Sequence, residues 1–473
     1  MNNGLKNKLK LLCEKNNEFS LENDKLWCMR CGQYVKVREN RFSSSIKDHI
    51  RSKKHESAKH GSEPRQISMF KVLKTCQPDN SKISEYSFDL TQMMTEVDIP
   101  LHKVNHPSFK HFMVKYTEKT VPDESTLRKK YVNLIYEEKL LLIRECVEHG
   151  KLYFLLDEST DACNRSVLSV MVGRLNGQPS KAMLLQLRVL DSVNANTVSQ
   201  AFINALGLIW PSGNIQYENI LLIVTDAASY MIAAFKNLNK SLLCHSIHVT
   251  CVAHAVHRVC EKIREDNKEV NKFVSLMKKI LLKSKERRHL YKTITQLPFP
   301  PNPVITRWGT FIETVVFYLD NWTKIKEFIN QILDDVLNVT ELKLLMESET
   351  FLNEFMQFTD FRFLPGQITL LESENNKISD VLCILSYIRT NLIGTLQIKF
   401  DSCLEKNAGL DTICNLNKKL SYGTNLMYAP LVSVSVERCF SQYKNMLTAR
   451  RQNFNFENLE KFVFIYFNSS VNS

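Results

Sequence analysis

Two aspartates stand where a sheet protein commonly carries out chemistry. Asp157 ends the apolar run 152–156, and Asp226 follows a second apolar run, 220–224. Each run predicts a buried strand that delivers an acid at its carboxyl end. Taken alone, each aspartate is better explained as a cap on the turn or helix behind its strand. Two such strands in one chain favour two carboxylates that converge at one edge of a sheet.

A second group of residues has the spacing of zinc ligands. Cys28 and Cys31 are separated by two residues, His49 follows after 17 more, and His55 follows after a further five. Two thiolates and two imidazoles complete a closed tetrahedral zinc site, which a module this small needs because it cannot bury enough core unaided. Otherwise these are unpaired cysteines beside surface histidines, which leaves the four-ligand pattern to chance.

Basic side chains crowd the stretch that carries the two histidines. The segment 43–55 predicts a helix with a serine at its N-cap, and it includes Lys47, Arg51, Lys53 and Lys54. These four residues are the candidates for phosphate contacts. A polyanion is therefore the predicted partner.

Charge and composition also favour a nucleic-acid partner. The chain has 473 residues, 44% of them apolar, and only 13 glycines, which favours a helix-rich protein of about two to four domains. The formal charge is +12, and residues 1–75 hold 17 Lys or Arg against 8 Asp or Glu. Because this basic excess lies at the N-terminus without an amphipathic basic helix, nucleic acid is favoured over a membrane surface.

The sequence also predicts a compartment. No run of about 18 apolar residues is present to span a bilayer. The first 19 residues lack the apolar core of a signal peptide. Thirteen scattered cysteines predict reduced thiols in an intracellular protein. A basic DNA-binding protein is expected in the nucleus, for which the basic run 51–55 is a weak additional signal.

The elements that must position the aspartates follow a defined order. After Asp157 come two apolar segments, 167–175 and 182–191, then an amphipathic helix at 197–210, and then the strand before Asp226 with a helix behind it. This order predicts an α/β protein with an RNase H-like mixed sheet. In such a sheet the first and fourth strands lie side by side, which would bring Asp157 and Asp226 together.

Several stretches resemble known families. The run Leu26-Trp27-Cys28, with the ligand spacing behind it, resembles a BED-type zinc finger. Other stretches resemble hAT-type transposases, and most closely their CGG-repeat-binding branch: 99–109, 121–127, Cys251-x2-His254, Arg307-Trp308 and VERCFS at 436–441. The resemblance implies duplex DNA binding by the finger and metal-dependent DNA strand cleavage and transfer by the rest.

The resemblance also assigns roles to single residues. It makes Glu437 the third carboxylate of a triad with Asp157 and Asp226, and it places Arg307 and Trp308 against an unpaired base. Three acids in a partly dry cleft hold two divalent cations, for which Mg²⁺, or Mn²⁺, is suited. The simpler explanations are that Glu437 is a first-turn acid favoured by the helix dipole and that Trp308 belongs to a core.

Two neighbouring acids are expected to serve as controls for such a triad. Alternation along the strand points Glu158 away from the face of Asp157. Alanine variants of Glu158 and Asp161 are therefore expected to retain most activity. Whether the chain is an enzyme stays open, because a catalytically silent, domesticated transcriptional regulator that binds DNA would keep the same fold for dimerisation.

The segment 244–260 holds three cysteines and four histidines. It could form a second zinc site, with Cys251 and His254 three positions apart. It also reads as a strand followed by a buried helix. A structural role is favoured, because a free cysteine behaves as a small hydrophobe.

The sequence suggests these boundaries: a finger at 21–62, a linker at 63–87, a helical segment at 88–150, the sheet core at 151–265, a helical insertion at 266–424, and a C-terminal region at 425–470. A homodimer or larger assembly is expected through that last region, because its apolar residues cluster at the chain's end: Phe462, Val463, Ile465, Tyr466 and Phe467. The alternative is that this cluster packs on its own sheet.

Overall fold

The computed structural model describes residues 84–148, 150–303, 309–333, 337–418, 426–447 and 455–472. Before these it describes residues 9, 12–13, 19–22, 25–28, 33–35, 37 and 42–52. The chain forms two compact units, Met1–Glu85 and Tyr86–Ser473.

The N-terminal unit contains a three-stranded antiparallel sheet and a helix. Strands β1 (Phe19–Glu22), β2 (Lys25–Cys28) and β3 (Gln33–Val35) pair in that order, and helix α1 spans Phe42–Ile50. Buried side chains from sheet and helix form its core, among them Phe19, Leu26, Cys28, Val35 and Ile46.

The expected serine cap of this helix is wrong. Helix α1 begins at Phe42, so the serines at 43–45 lie inside its first turn. The physical reason is that Phe42 packs against the core of this unit, so that the helix starts one residue before the first of the three serines.

The second unit is built on a five-stranded mixed sheet. Strands β4 (Lys151–Thr160), β5 (Ser166–Leu175) and β6 (Met183–Leu190) form an antiparallel meander. Strand β7 (Ile220–Thr225) runs parallel to β4, and β8 (Ile247–Thr250) runs parallel to β7. The order across the sheet is β6-β5-β4-β7-β8. The predicted mixed α/β class is therefore confirmed.

The two strands that carry the aspartates are neighbours, as predicted. Leu155 of β4 pairs with Val224 of β7, and Asp157 and Asp226 each follow two positions later. Both strands are almost wholly buried, as the central strands of a covered sheet are. The shared register brings both acids to the same edge of the sheet.

One face of the sheet is covered by α5 (Ala195–Ile209) and α6 (Ser229–Ser241). Phe154 of β4 meets Phe202 edge-on, with ring centroids 5.2 Å apart, and Phe202 meets Phe235 at 5.3 Å. Since successive strand residues point to opposite faces, Asp157 lies on the face opposite to Phe154.

Helices from both ends of the unit accompany the sheet. The N-terminal ones are α2 (Glu85–Glu96), α3 (Pro107–Thr117) and α4 (Val132–Val147), with a 3₁₀ turn at Leu101–Asn105 and a π turn at Leu127–Tyr131. The C-terminal ones are α18 (Val434–Met446) and α19 (Phe456–Phe467). All of these helices except the exposed α3 bury residues in the core. Helix α18 lies against β4 and β5, and α19 lies against β6 and α4. The fold thus brings the end of the chain back onto the sheet.

The intervening region is helical, as predicted. Behind β8 come α7 (Val252–Asp266), α8 (Lys268–Lys283), α9 (Lys285–Thr295), α10 (Thr310–Asp320), α11 (Trp322–Gln331), α12 (Leu337–Met346), α13 (Glu349–Gln357), α14 (Phe363–Leu371), α15 (Ile378–Asn391), α16 (Gly394–Glu405) and α17 (Ala408–Lys418). Aromatic rings centred on Phe273 hold several of them together. In the described part of the chain, no helix has the length and apolar character needed to cross a membrane.

Helix α17 covers the edge strand β8. Asn407, just before this helix, donates from Nδ2 to the carbonyl of Thr250 at 2.6 Å and accepts from the Thr250 N–H at 3.0 Å. Gly409 lies so close to β8 that a Cβ would collide with the carbonyl of His248. Glycine is therefore required for the helix to approach the strand this closely.

The apolar cluster near the C-terminus packs within its own chain. Val463, Phe464 and Ile465 are buried, and the ring of Phe464 lies 4.5 Å from that of Tyr136 in α4. These residues of α19 therefore pack inside their own chain, which is the alternative to an interface. This cluster no longer supports self-association, which stays a prediction.

Glu460 of α19 gives this unit an expected pH dependence. Its carboxylate accepts from the backbone N–H of Leu187 in β6 at 3.3 Å. Burial raises the pKa of Glu460 to about 7, although Arg188 and Lys461 act in the opposite direction. Because the pKa in the unfolded chain is about 4.3, the folded chain binds this proton more tightly, and the resulting stabilisation is lost as pH rises through 7.

We therefore expect Glu460→Gln to raise the free energy of unfolding at pH 8 by roughly 2 to 3 kcal/mol and to leave it nearly unchanged at pH 4. Urea unfolding followed by circular dichroism at both pH values measures the difference. Glu457→Gln is the matched control, since Glu457 lies on the exposed side of the same helix. An equal effect of Glu460→Gln at pH 4 and pH 8 would contradict the assignment.

Candidate active site

Strand β4 places Asp157 in a buried position. The residue is 5% exposed. Its Oδ1 accepts from the backbone N–H of Glu158 at 2.8 Å, and its Oδ2 has no hydrogen-bond partner among the described residues. Burial raises the pKa of Asp157 well above its usual value, and the charges of Asp226 and Glu437 raise it further. A carboxylate that is buried with a bare oxygen is suited to receive a cation.

Strand β7 places Asp226 beside it. Burial raises the pKa of Asp226, while a hydrogen bond from the backbone of Ala228 and the charges of His254 and Arg258 lower it. Its Oδ1 also has no hydrogen-bond partner within the described structure. Asp226 is therefore a second acid at this edge that accepts from the turn behind its strand with one oxygen and keeps the other without a hydrogen bond.

Helix α18 brings Glu437 to the same place from far along the chain. The residue lies in the first turn of the helix. Burial raises the pKa of Glu437, and Asp226 adds to this effect, while His254 and Lys444 lower it. Glu437 offers a ligand atom within 4.8 Å of one on Asp157, and the charge of Asp226 contributes to the raised pKa of both Asp157 and Glu437.

His254 of α7 completes the cluster. Its Nε2 lies 3.8 Å from Oε1 of Glu437. Asp157, His254 and Glu437 each offer one ligand atom, and these atoms all lie within 4.8 Å of one another. Burial lowers the pKa of His254, but the neighbouring Cys251 and the two carboxylates outweigh it and raise the pKa to about 10. In the absence of a metal, a positively charged imidazole therefore stands among the acids.

Cys251 anchors this histidine at the start of α7. The Cys251 N–H donates to the carbonyl of Thr225 at 2.7 Å, and its Sγ accepts from the N–H of Ser433 at 3.3 Å. Although burial raises the pKa of Cys251, the charge and hydrogen bond of His254 outweigh it and lower the pKa. Cys251 thus ties together the end of β7, helix α7 and the residues that lead into α18.

The sequence favours a structural role for 244–260, and the structure places the imidazole of His254 beside the acids Asp157 and Glu437. Cys251 is structural, as expected, but the imidazole belongs to the carboxylate cluster. The available signal was the Cys-x2-His spacing directly behind a predicted strand. In the described part of the chain this cluster is the one place where three potential metal ligands meet, and it contains no cysteine.

Of the two acids expected to be silent controls, Asp161 is unsuitable. Its carboxylate accepts from the N–H groups of Cys163 and Arg165, from Nε of Arg165 at 2.7 Å and from the hydroxyl of Tyr443 at 2.8 Å. Burial raises the pKa of Asp161, but these hydrogen bonds outweigh it and lower the pKa. Removing this carboxylate would disturb the contact between β4 and α18, because Tyr443 belongs to α18.

Glu158 does point away from Asp157, as alternation predicts. Its Oε2 accepts from the hydroxyl of Tyr230 in α6 at 3.4 Å. Burial raises the pKa of Tyr230, and the charges of Asp226, Glu158 and Asp157 raise it further. Tyr230 of α6 therefore lies close to the acids Asp157 and Asp226 as well as to Glu158. No pattern in the sequence predicted this position.

In the finger unit, two of the four predicted zinc ligands lie within the described residues. Cys28 is buried at the end of β2 and is the cross-strand partner of Phe19. The ring of Phe19 lies 6.1 Å from that of His49, in the last turn of α1. Both ligands therefore stand beside Phe19, while Cys31 and His55 lie outside the described residues.

The predicted DNA-contacting residues are described in part. Lys47 and Arg51 are exposed at the end of α1, as a phosphate contact requires. Lys53 and Lys54 lie outside the described residues, and so do Arg307 and Trp308.

Comparison with known proteins gives a distant similarity. No family model matches the chain. It is similar to CGG triplet repeat-binding protein 1 of Mus musculus, with 27% identity over 139 residues, which cover 27% of this chain and 81% of that protein. The protein of the same name from Homo sapiens is 26% identical over 142 residues, with the same coverage. By its name, that relative binds CGG triplet repeats.

Proposed function

We propose that this chain binds double-stranded DNA and cleaves DNA strands in a metal-dependent reaction of the hAT transposase type. The observation that supports this proposal is the placement of Asp157 and Asp226 behind adjacent strands, with a ligand atom of the distant Glu437 within 4.8 Å of one on Asp157. Separate helix caps would have no reason to meet. The proposed compartment is the nucleus.

The sheet supports an RNase H-like reading of the core. Three antiparallel strands are followed by two parallel ones, and the first strand stands at the centre between the second and the fourth. This is the order expected from the sequence. It puts the first two acids of the triad on adjacent strands.

The donor set fits a divalent cation. Buried carboxylate oxygens without hydrogen-bond partners, one on Asp157 and one on Asp226, stand among acids that repel one another. A bound divalent ion would activate the attacking hydroxyl and stabilise the departing oxygen of the phosphodiester. The chain itself supplies carboxylates in fixed and largely buried positions. Helix α18, which lies against β4, supplies the third of them, Glu437.

The direct test is a cleavage assay on the full chain. Supercoiled plasmid DNA is incubated with the protein and with Mg²⁺, Mn²⁺ or EDTA, and nicked and linear products are counted on a gel. We expect nicking with either metal and none with EDTA. Tight DNA binding without cleavage under all three conditions would remove the enzymatic proposal and leave DNA binding.

A catalytically silent DNA-binding regulator is the second candidate. The observation that favours it is the position of His254, whose Nε2 lies 3.8 Å from Oε1 of Glu437, so that a protonated imidazole can pair with the acids without a metal. The similarity to CGG triplet repeat-binding protein 1 is compatible with either candidate, because it supports DNA binding alone.

For the N-terminal unit we propose a zinc site made by Cys28, Cys31, His49 and His55, with Lys47, Arg51, Lys53 and Lys54 touching DNA phosphates. The burial of Cys28 beside the Phe19–His49 ring contact supports it. For Arg307 and Trp308 we propose a role in holding an unpaired base, where stacking contributes about 1 to 3 kcal/mol per base.

The finger proposal predicts both metal content and salt dependence. The full chain is expected to hold about one zinc per molecule, and Cys28→Ser to hold none, as measured by mass spectrometry of the metal. Affinity for a DNA duplex is expected to fall by about tenfold or more between 50 and 200 mM salt, because phosphate contacts release counterions. Cys13→Ser is the control, since Cys13 lies outside the ligand spacing. A flat salt response would point to a protein partner.

A further inference from the structure

The donors that stand closest together are not the three acids. Asp157, His254 and Glu437 have ligand atoms within 4.8 Å of one another, whereas Asp226 lies outside that set. Two ligands at about 2.1 Å from one ion are about 3.0 Å apart when they are cis and about 4.2 Å apart when they are trans in an octahedron, so side-chain movements of roughly 1 to 2 Å would let these atoms share one ion. The set consists of two carboxylate oxygens and one imidazole nitrogen.

A nitrogen donor changes which ion is preferred. Mg²⁺ takes oxygen ligands in near-ideal octahedra and gives up water reluctantly. Transition-metal ions accept imidazole together with carboxylate, and geometry and donor type decide among them. An all-oxygen triad would favour Mg²⁺, and replacing one oxygen donor by nitrogen removes that preference.

The start of helix α7, which carries the histidine, is fixed by contacts of Cys251. This residue lies three positions before His254, accepts from the N–H of Ser433 and donates its own N–H to the carbonyl of Thr225. Surroundings that hold a ligating imidazole in place raise its affinity for metal. Asp157 is 5% exposed, and its Oδ2 has no hydrogen-bond partner among the described residues. A buried carboxylate oxygen of this kind is available to a cation.

We infer that Asp157, His254 and Glu437 form a mixed nitrogen–oxygen site that selects a divalent transition-metal ion, Mn²⁺ being the probe, over Mg²⁺. The inference rests on the proposed function only in that it names the metal of the same site. Asp226 stands beside this site and supplies a further acid at the sheet edge.

Electron paramagnetic resonance of Mn²⁺ bound to the full, zinc-loaded chain tests the inference. We expect modulation from a directly bonded ¹⁴N nucleus in the wild type. Asp157→Asn is expected to lose the bound Mn²⁺ and the signal, which separates this site from the histidines of the finger. His254→Gln is expected to lower Mn²⁺ affinity by about tenfold or more and to leave Mg²⁺ affinity unchanged, so that the preference disappears.

His257→Gln is the matched control. His257 lies three positions further along the same helix and its Nε2 is 3.5 Å from Glu261, outside the donor set. It should keep both the ¹⁴N modulation and the affinity. Absence of Mn²⁺ binding to the wild type, or binding without ¹⁴N modulation, would overturn the inference, and the wild-type spectrum decides even if a variant fails to fold.

The same measurements separate this inference from the proposed function. Nitrogen-ligated Mn²⁺ in a chain that never nicks DNA would support the site and contradict the nuclease. The opposite result has two parts: the chain nicks DNA with Mg²⁺ equally well after His254→Gln, and its Mn²⁺ spectrum shows no ¹⁴N modulation. That result would support the nuclease and contradict the nitrogen-containing site.

Discussion

Asp157→Asn is expected to abolish DNA cleavage while making the metal-free chain more stable. Loss of one member of such a catalytic set lowers the rate by roughly 10⁴- to 10⁶-fold. Stability changes in the opposite direction, because burial and the two neighbouring acids disfavour the charged form of Asp157. Asparagine removes that charge and keeps an oxygen to accept from the N–H of Glu158.

The sign of the stability effect fixes its pH dependence. Since the pKa of Asp157 is raised on folding, its charge destabilises the folded chain above the unfolded pKa of about 3.9 and has no such effect below it. The gain from Asp157→Asn should therefore be present at pH 8 and vanish near pH 3.5. Urea unfolding in EDTA measures it, and zinc loss from the finger affects both proteins equally.

Glu261→Gln is the control for both readouts, because Glu261 is an exposed acid on α7. It should leave nicking and stability as they are. Nicking that survives Asp157→Asn would contradict the enzymatic proposal outright. A loss of stability at pH 8 would show instead that the ion pair with His254 outweighs the repulsion among the acids.

Lys139→Ala is expected to cause the largest loss of stability among these changes. Lys139 of α4 is fully buried, with its Nζ 2.8 Å from Oε1 of Glu96 in α2 and 3.2 Å from the carbonyl of Asn468. Removing one partner of a buried pair costs roughly 3 to 5 kcal/mol. Because the side chain of Glu96 is 22% exposed, we expect a value near 3 kcal/mol, measured by urea unfolding at pH 7.

The double variant Glu96→Gln with Lys139→Met separates charge from packing. Methionine fills the space of the lysine stem, and glutamine leaves no unpaired charge, so most of the lost stability should return. Lys262→Ala is the control, since its pair with Asp266 on α7 is exposed on both sides and a surface pair of this kind contributes little to stability. A cost below 1 kcal/mol for Lys139→Ala would contradict the buried-pair argument.

The sequence could predict those features of the fold that depend on local patterns of residues. Apolar runs gave β4 and β7, and the order of elements placed these strands side by side, so the meeting of Asp157 and Asp226 followed. Glu437 could be proposed only by resemblance, because no local pattern tells where α18 returns to the sheet. Its proximity to Asp157 depends on long-range packing.

The same reason explains what was missed or wrong. His254 reaches Glu437 because α7 and α18 both begin beside Cys251, a contact between segments far apart in the chain. The sequence did not reveal the structural contact of Asp161, because its partner Tyr443 is equally remote along the chain. The apolar residues of α19 suggested an interface, but apolar character alone does not say whether the surface they cover belongs to the same chain.

The side chain of Asn407 has a consequence for how molecules of this protein meet at high concentration. An edge strand presents backbone groups to which a strand from another molecule can pair, and such pairing starts aggregates. On β8 the amide of Asn407 occupies both the N–H and the carbonyl of Thr250, in the way a neighbouring strand would. The insertion, which contributes Asn407 and α17, therefore covers this edge of the sheet, so that deleting it would leave an aggregation-prone core.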